Sequence, residues 1–410
     1  MDLDGADFRK YKISALQAVS FTLVASEREI DNPTICNKRC MFSPLMAHQV
    51  FGESELIFGY EGLSINLYYH HNSSNCLIDI KYDNEVTVIE VDDIPKLMND
   101  WLPRNYFRNK EDFKQMIKNE KNDQMFGTVI HQFKRKTEVL FHEDEQVECT
   151  YKITQIDTED ELFQEYHERF ETFIIWFIDA ANFIDLKDKR WLIFYIYEEF
   201  IMPGSGKKII TPIGFTAIYK FFSYPNSNRA RISQFFILPT HQGKGLGTIF
   251  YKTVYNRILE DMPEITDLTV EEPNELFQQM RDYCDSLHIY KDLKATGVNL
   301  ALKNGKTLFS YFSKHKINKK QSLRITDILE YLNASQKGSS EKDDFEEKIF
   351  QRFKLQKMNE NHVGKIARGS NKEKIETEEI DENVLRQELK AYLDQLTPVV
   401  EKLIKTLKTQ

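Results

Sequence analysis

The run Arg231-Ile232-Ser233-Gln234-Phe235-Phe236-Ile237-Leu238, followed by Pro239-Thr240-His241-Gln242-Gly243-Lys244-Gly245-Leu246-Gly247-Thr248, decides how this chain is read. Its first half is apolar and aromatic and stops at a proline, as a strand does. After the glycines, apolar residues at Leu246, Ile249, Phe250, Val254 and Ile258 fall on one helical face. The order is therefore strand, glycine-rich turn, helix. Glycines at 243, 245 and 247 let backbone amides approach an anion, and the start of the helix adds its partial positive charge, so phosphate binding is the natural inference. Two nucleotide motifs are excluded by position. A G-x-G-x-x-G fingerprint needs glycine where Thr248 stands, and a P-loop needs Ser or Thr after its Gly-Lys, where Gly245 follows Lys244. Gly206-Lys207-Lys208 fails as well, because the first glycine of a P-loop would fall on Ile201. A tight turn that holds no ligand is the bland alternative.

Upstream of this unit, apolar residues at Phe170, Phe173, Ile174, Phe177, Ile178 and Ala181 predict a helix from about Glu161 to Asn182. Trp191 to Glu198 and Ile213 to Phe222 read as a hairpin across the turn at 202–208. Downstream, Pro263 closes the helix and Ile265 to Val270 predicts another strand. Glu271-Glu272-Pro273-Asn274 breaks it before a helix with Leu276, Met280, Cys284 and Leu287 inward. The first 145 residues alternate like half-buried strands at 64–69 and 86–91. Residues 305–335 look helical and 336–344 read as a linker. In the tail, Leu389, Leu393, Leu396, Val400, Leu403 and Leu407 repeat by fours and threes, but Pro398 interrupts them, which favours a docking helix over a free-standing zipper.

At 410 residues, with 41% hydrophobic, 29% charged and 12% aromatic residues, the chain is large enough for two or three domains and needs no stapling. Its 55 basic and 64 acidic residues leave a formal charge of −9, which disfavours direct nucleic-acid binding and suits a cationic partner. Five cysteines without C-x-x-C spacing read as reduced, buried thiols, and no metal site is expected, Cys36 and Cys40 lacking a second pair. The acidic first residues and the lack of a long apolar run predict neither export nor a membrane span.

Gln242, Gly245 and Gly247, spaced Gln-x-x-Gly-x-Gly after a strand, resemble the pyrophosphate loop of the GCN5-related N-acetyltransferase (GNAT) superfamily, which cradles acetyl-coenzyme A. A longer series, in order, resembles the catalytic subunits of type B histone acetyltransferases. It includes His48-Gln49-Val50-Phe51-Gly52, Phe58-Gly59-Tyr60-Glu61-Gly62-Leu63, His167-Glu168-Arg169, Trp176-Phe177-Ile178, Tyr224-Pro225, Arg229 to Gln234, Glu271-Glu272-Pro273 and Arg281-Asp282. The resemblance runs from about 40 to 335 and leaves the tail uncovered. It implies an α+β chain with an N-terminal mixed domain of that acetyltransferase kind at 1–145, a GNAT domain at 146–305 and a helical extension at 306–335; the residues themselves add a charged, partly helical accessory tail at 336–410.

The residues add their own chemistry. A lysine amine with a reference pKa near 10.4 is protonated at neutral pH, so acetylation needs a base to overcome about 4.6 kcal/mol. Glu271 and Glu272 follow Val270, which ends the strand neighbouring the glycine loop, where ligands of such sheets bind, and only one of two adjacent side chains can aim at the thioester. Read without the resemblance, they are a solvated acidic turn before the next helix. The resemblance makes Glu271 the general base and places Glu272 and Asp179 at supporting carboxylates. It also implies cofactor contacts from Phe235, Phe236, Ile237, Gln242, Gly243, Lys244, Gly245, Leu246, Gly247, Thr248 and Asn274; Asn274 reads equally as a helix cap. Glu53, Ser54, Glu55, Tyr219, Lys220 and Phe221 match regions that contact histone H4. The resemblance further implies H4, with histone H3, as the protein substrate, a WD-repeat histone-binding subunit as partner, and a place in cytoplasm and nucleus. His241 reads as a loop residue and Cys284 as buried. The rival readings are an N-acetyltransferase for another protein or small amine, and a histone carrier without catalysis.

Overall fold

The computed structural model describes residues 8–32, 38–87, 89–141, 146–298, 305–367 and 381–409, so Cys36 lies outside the described residues. The chain forms two units, Met1–Ile258 and Leu259–Gln410. Among the described residues no helix is long and apolar enough to cross a membrane.

In the first unit, strand Val19–Val24 (β1) is buried at nearly every position and runs in the middle of a four-stranded sheet. It pairs antiparallel with Met41–Phe42 (β2) and parallel with Ser64–His70 (β3), and β3 pairs antiparallel with Cys76–Lys81 (β4). The strand expected at 64–69 is β3. The one expected at 86–91 is not formed among the described residues there, since only Asn84–Glu85 pairs, with Tyr60–Glu61. Alternation alone did not supply a partner edge for it.

Five further strands of this unit pair in chain order, all antiparallel: Thr128–Glu138 (β5), Gln146–Gln155 (β6), Trp191–Ile201 (β7), Lys208–Ser223 (β8) and Ser227–Ile237 (β9). The expected hairpin is β7–β8, and both strands are longer than the sequence suggested. Between β6 and β7 the helix Glu161–Glu171 (α2) is capped by Asp160, whose carboxylate accepts from Leu162 N and Phe163 N. The helix expected to reach Asn182 tightens instead into a 3-10 turn, Thr172–Trp176, and then opens into a loop. All five residues of that turn are buried, so the packing of adjacent aromatics overrode the 3.6-residue period. The short helix His48–Phe51 (α1) precedes all of these.

One core joins the two sheets. Phe21 on β1 lies 5.1 Å from Phe42, 5.9 Å from Phe173 and 5.5 Å from Trp176 (ring centroids), and Phe236 on β9 lies 5.7 Å from Phe177. On the other face of β9, Phe235 meets Phe250 at 5.2 Å on the helix Leu246–Asp261 (α3). Successive strand residues point to opposite faces, so Phe235 and Phe236 clamp the sheet between helices.

The second unit begins with Ile265–Val270 (β10) and Glu275–Thr296 (α4). Cys284 and Leu287 are buried as expected, but Leu276 is 78% exposed because the first turn of α4 extends beyond the packed face. Gly305–Lys314 (α5), Lys319–Lys337 (α6), Ser339–Ala367 (α7) and Glu382–Lys408 (α8) follow. The linker expected at 336–344 is reduced to Gly338, which caps α6 at a positive φ of 151°. Helix α7 starts at the next residue because Phe345, Ile349 and Phe350 bury against Leu385 and Leu389 of α8. Helix α8 docks on α4, α6 and α7, as expected of a docking helix. It continues through Pro398, with Leu396, Val399, Val400 and Leu403 buried on either side; that burial offsets the roughly 3 kcal/mol a mid-helix proline costs.

Candidate active site

The glycine turn adopts the geometry its composition called for. Gly243 and Gly245 have φ of +73° and +74°, a region that side-chain-bearing residues avoid, and a Cβ built at either would meet nothing within 4 Å. The protein's own packing therefore does not require glycine here. The backbone conformation does, and so does keeping the space above the turn free. Helix α3 starts at Leu246 beside that space, and the amides that open a helix have no acceptor within it. The turn thus fits the diphosphate of acetyl-coenzyme A: donors without side chains in front of them, at a helix N-terminus.

Three contacts hold the turn in place. Gln242 Nε2 donates to Ile237 O at 2.8 Å, folding the turn back on the end of β9. Arg135 on β5 donates to Lys244 O at 2.8 Å. His241, 1% exposed, is not a passive loop residue. Its Nε2 lies 3.0 Å from Glu198 Oε2 on β7, its Nδ1 2.8 Å from Thr240 Oγ1, and Glu198 also accepts from Tyr151 Oη at 3.1 Å. A buried carboxylate and imidazole directly under the turn fix its entry. The partner of His241 stands 43 residues upstream, with no spacing to reveal it.

Strand β9 carries Phe235, Phe236 and Ile237 opposite Thr216, Phe215 and Gly214 of β8. The register skips between Ala217 and Ile218, so Gln234 and Ile232 have partners and Ser233 is the extra residue of a bulge. Gly214 is required by this pairing: a Cβ there would lie 2.3 Å from Phe236 O.

Asp179 lies on the loop after the 3-10 turn, next to Ala180 with φ of +52°. Its side chain is 76% exposed, and its Oδ1 is 3.0 Å from His48 Nε2. Of the stretch expected to meet the protein substrate, Glu53 and Ser54 are exposed, whereas Glu55 turns back on α1. Its Oε1 accepts from Ala47 N at 2.6 Å and His48 N at 3.1 Å. The structure therefore brings Asp179 and Glu55 together on either side of His48. Tyr219 and Phe221 pack ring to ring at 4.7 Å on β8, Tyr219 Oη donates to Asp188 Oδ2 at 3.0 Å, and Phe221 is exposed; Lys220, between them in sequence, is half-buried.

The loop bearing Asp179 is also held from below. Glu171, 2% exposed, accepts from Ile184 N at 2.9 Å, and Gln234 Nε2 donates to Asn182 O at 2.7 Å and to Glu171 Oε1 at 3.4 Å. Glu171 lines a cavity of about 410 Å³ together with Leu102, Arg104, Glu168, Phe183 and Ile184. Burial pushes the Glu171 carboxyl up to about 8, and burial pushes neighbouring His167 down to about 3. Between the ordinary carboxyl value of 4.5 and about pH 8 the folded chain holds a proton at Glu171 that the unfolded chain has lost, so this residue makes stability fall as pH rises through that window. His167 acts from the other side: between 6.5 and about 3 the unfolded chain binds the extra proton, so stability falls as pH drops. Glu171→Gln, which mimics the protonated acid, is expected to melt with wild type at pH 5 and roughly 5 °C or more above it at pH 8.5, read by calorimetry. Equal midpoints at pH 8.5 would mean the carboxyl ionises normally in the fold.

In the second unit, Glu271 and Glu272 directly follow β10 and are exposed, with Glu272 at φ of +35°. Asn274 is the N-cap of α4, its Oδ1 accepting from Phe277 N at 2.9 Å, so the cap half of its double reading is met. Among the described residues no group of three or more His, Cys, Asp or Glu is arranged to hold a metal ion.

Residues 11–179 match the profile of the histone acetyl transferase HAT1 N-terminus, and residues 144–279 that of the acetyltransferase (GNAT) family. Sheet, bulged strand and open glycine turn together define an N-acetyltransferase that draws its acetyl group from acetyl-coenzyme A. The histone acetyltransferase type B catalytic subunit of Homo sapiens is 30% identical over 329 residues, covering 79% of this chain and 75% of that protein. The Mus musculus subunit is 30% identical over 335 residues (79% and 76%), and that of Candida albicans 32% over 257 residues (60% and 59%). The chain belongs to the family of histone acetyltransferase type B catalytic subunits.

Proposed function

We propose that this enzyme transfers acetyl from acetyl-coenzyme A directly to a lysine side chain of newly synthesised, non-nucleosomal histone H4, in preparation for histone deposition, with Glu271 as general base. The observation that carries the reading is the turn at 243–245, whose two positive-φ glycines leave open space above helix-terminal amides in a chain of this family. When bound, acetyl-coenzyme A supplies an activated acyl group, so no covalent enzyme intermediate is needed. Cys284 is buried at 3% exposure, which suits a packing role. The amides of 243–248 hold the diphosphate, and main-chain donors of Phe235 to Ile237 face the thioester arm, where one stabilises charge developing on the carbonyl oxygen. Glu271 removes the ammonium proton as the amine attacks, with Asp179 and Glu272 as supporting carboxylates that favour a cationic side chain. Exposed Glu53 draws the basic tail by charge; Lys220 opposes it. The partners that fit this reading are H4 with H3 and a WD-repeat histone-binding subunit, in cytoplasm and nucleus.

Mass spectrometry of H4 incubated with the protein and acetyl-coenzyme A tests the reading. The expected result is one or a few lysines gaining an acetyl group on free H4, with much less on nucleosomes. Unmodified H4 beside acetylated polyamines or amino sugars would transfer the reading to a small-amine enzyme, and H4 binding without any acetylation would leave a carrier.

A further inference from the structure

We propose that His48 is a positioning residue for the Asp179 carboxylate, and that Glu55 serves the acceptor side of the site through His48 rather than by touching the substrate. The proposal rests on the acetyl-transfer reading above. Asp179 is a short acid on an exposed loop, and such a side chain samples several rotamers unless something holds it. His48 Nε2, at 3.0 Å from Oδ1, is the hydrogen-bond partner that holds it. That contact leaves Oδ2 to meet a cationic or amine ligand.

His48 is itself fixed by its setting. Its ring is only 28% exposed, its backbone N–H donates to Glu55 Oε1, and its Nδ1 lies 3.8 Å from the same oxygen. The next residue ties down the same loop, since Gln49 Nε2 donates to Ala181 O at 3.0 Å. Leu45 N and Met46 N both donate to Trp176 O, at 3.0 and 3.2 Å. Residues 45–49 are thus stitched to 176–181 by main-chain and side-chain bonds, and the imidazole is the link that reaches the carboxylate. Glu55, with φ of +52°, is occupied by two backbone amides at its Oε1, so the acid at this turn that remains turned to solvent is Glu53. The chain thereby couples the 53–55 turn to Asp179 without a direct contact between the two acids.

The test is steady-state kinetics of the full chain with acetyl-coenzyme A and an H4 N-terminal peptide. His48→Ala is expected to lower kcat/KM for the peptide about 10- to 100-fold, the scale of a misplaced catalytic group, with KM for acetyl-coenzyme A unchanged. His48→Gln, whose amide nitrogen can still reach Asp179, is expected to recover to within about threefold of wild type. On an Asp179→Ala background, His48→Ala is expected to cause no further loss, because the two act as one unit. Additive losses, failure of Gln to rescue, or an equal change in KM for acetyl-coenzyme A would overturn the positioning role. A wild type that binds acetyl-coenzyme A yet modifies no lysine of the peptide would overturn the proposed reaction and this inference with it, whereas an active wild type with an additive cycle overturns this inference alone.

Discussion

Glu271→Gln is expected to lower the rate of acetyl transfer by about 10²- to 10⁴-fold while leaving acetyl-coenzyme A affinity within about twofold. The substitution keeps the volume and removes the negative charge together with the capacity to accept a proton. The cost it exposes is the deprotonation of lysine, about 4.6 kcal/mol at neutral pH. Because Glu271 follows β10 at an exposed position, its loss leaves no cavity and the fold stands. The glycine turn, on different elements, keeps its amides and so its ligand. The pH profile sharpens the test: the residual rate of the variant should climb about tenfold per pH unit toward the lysine pKa, since solution must now remove the proton. A variant as fast as wild type at pH 7 would place the base elsewhere.

The second large effect is expected at the turn. Gly243→Val and Gly245→Val, singly, should each weaken acetyl-coenzyme A binding at least about 100-fold in a calorimetric titration, with the fold intact. Both glycines sit near φ of +73°, where a side chain costs about 1–2 kcal/mol, and a Cβ at either would stand in empty space rather than against protein. The greater loss comes from blocking a charged diphosphate from its amides, each charge-assisted hydrogen bond contributing about 1.5–3 kcal/mol. If the turn held no ligand, the same variants would show the backbone strain as a lowered melting temperature and leave the titration unchanged.

Local reading succeeded where a segment's chemistry is local. Strand, turn and helix around 231–258 are set by apolar spacing and by glycines, both visible along the chain, and the buried face of α4 at Cys284 and Leu287 follows from the same period. It failed where neighbours outvoted the segment. The aromatics at 172–176 settled into a tighter turn than their period suggested, the polar stretch at 336–344 became helical once Phe345 and Ile349 found α8, and the alternating run at 86–91 found no sheet edge.

The site divides along the same line. Amino-acid order alone determined that a glycine-rich turn precedes a helix, that two acids follow a strand at 271–272, and that the chain is acidic overall. Only the tertiary structure decided that His241 has a buried carboxylate beneath it, that Gln234 and Glu171 prop the loop carrying Asp179, and that Glu55 faces its own helix while His48 reaches across to Asp179. His241 and Glu198, Gln234 and Asn182, and His48 and Asp179 are separated by 43 to 131 residues, against 13 for Glu171 and Ile184 and 8 for the Glu55 cap, and hydrogen bonds over the longer separations exist only after the sheets have packed. A linear pattern records which groups are available; which of them meet is set by the core that brings their strands and loops together.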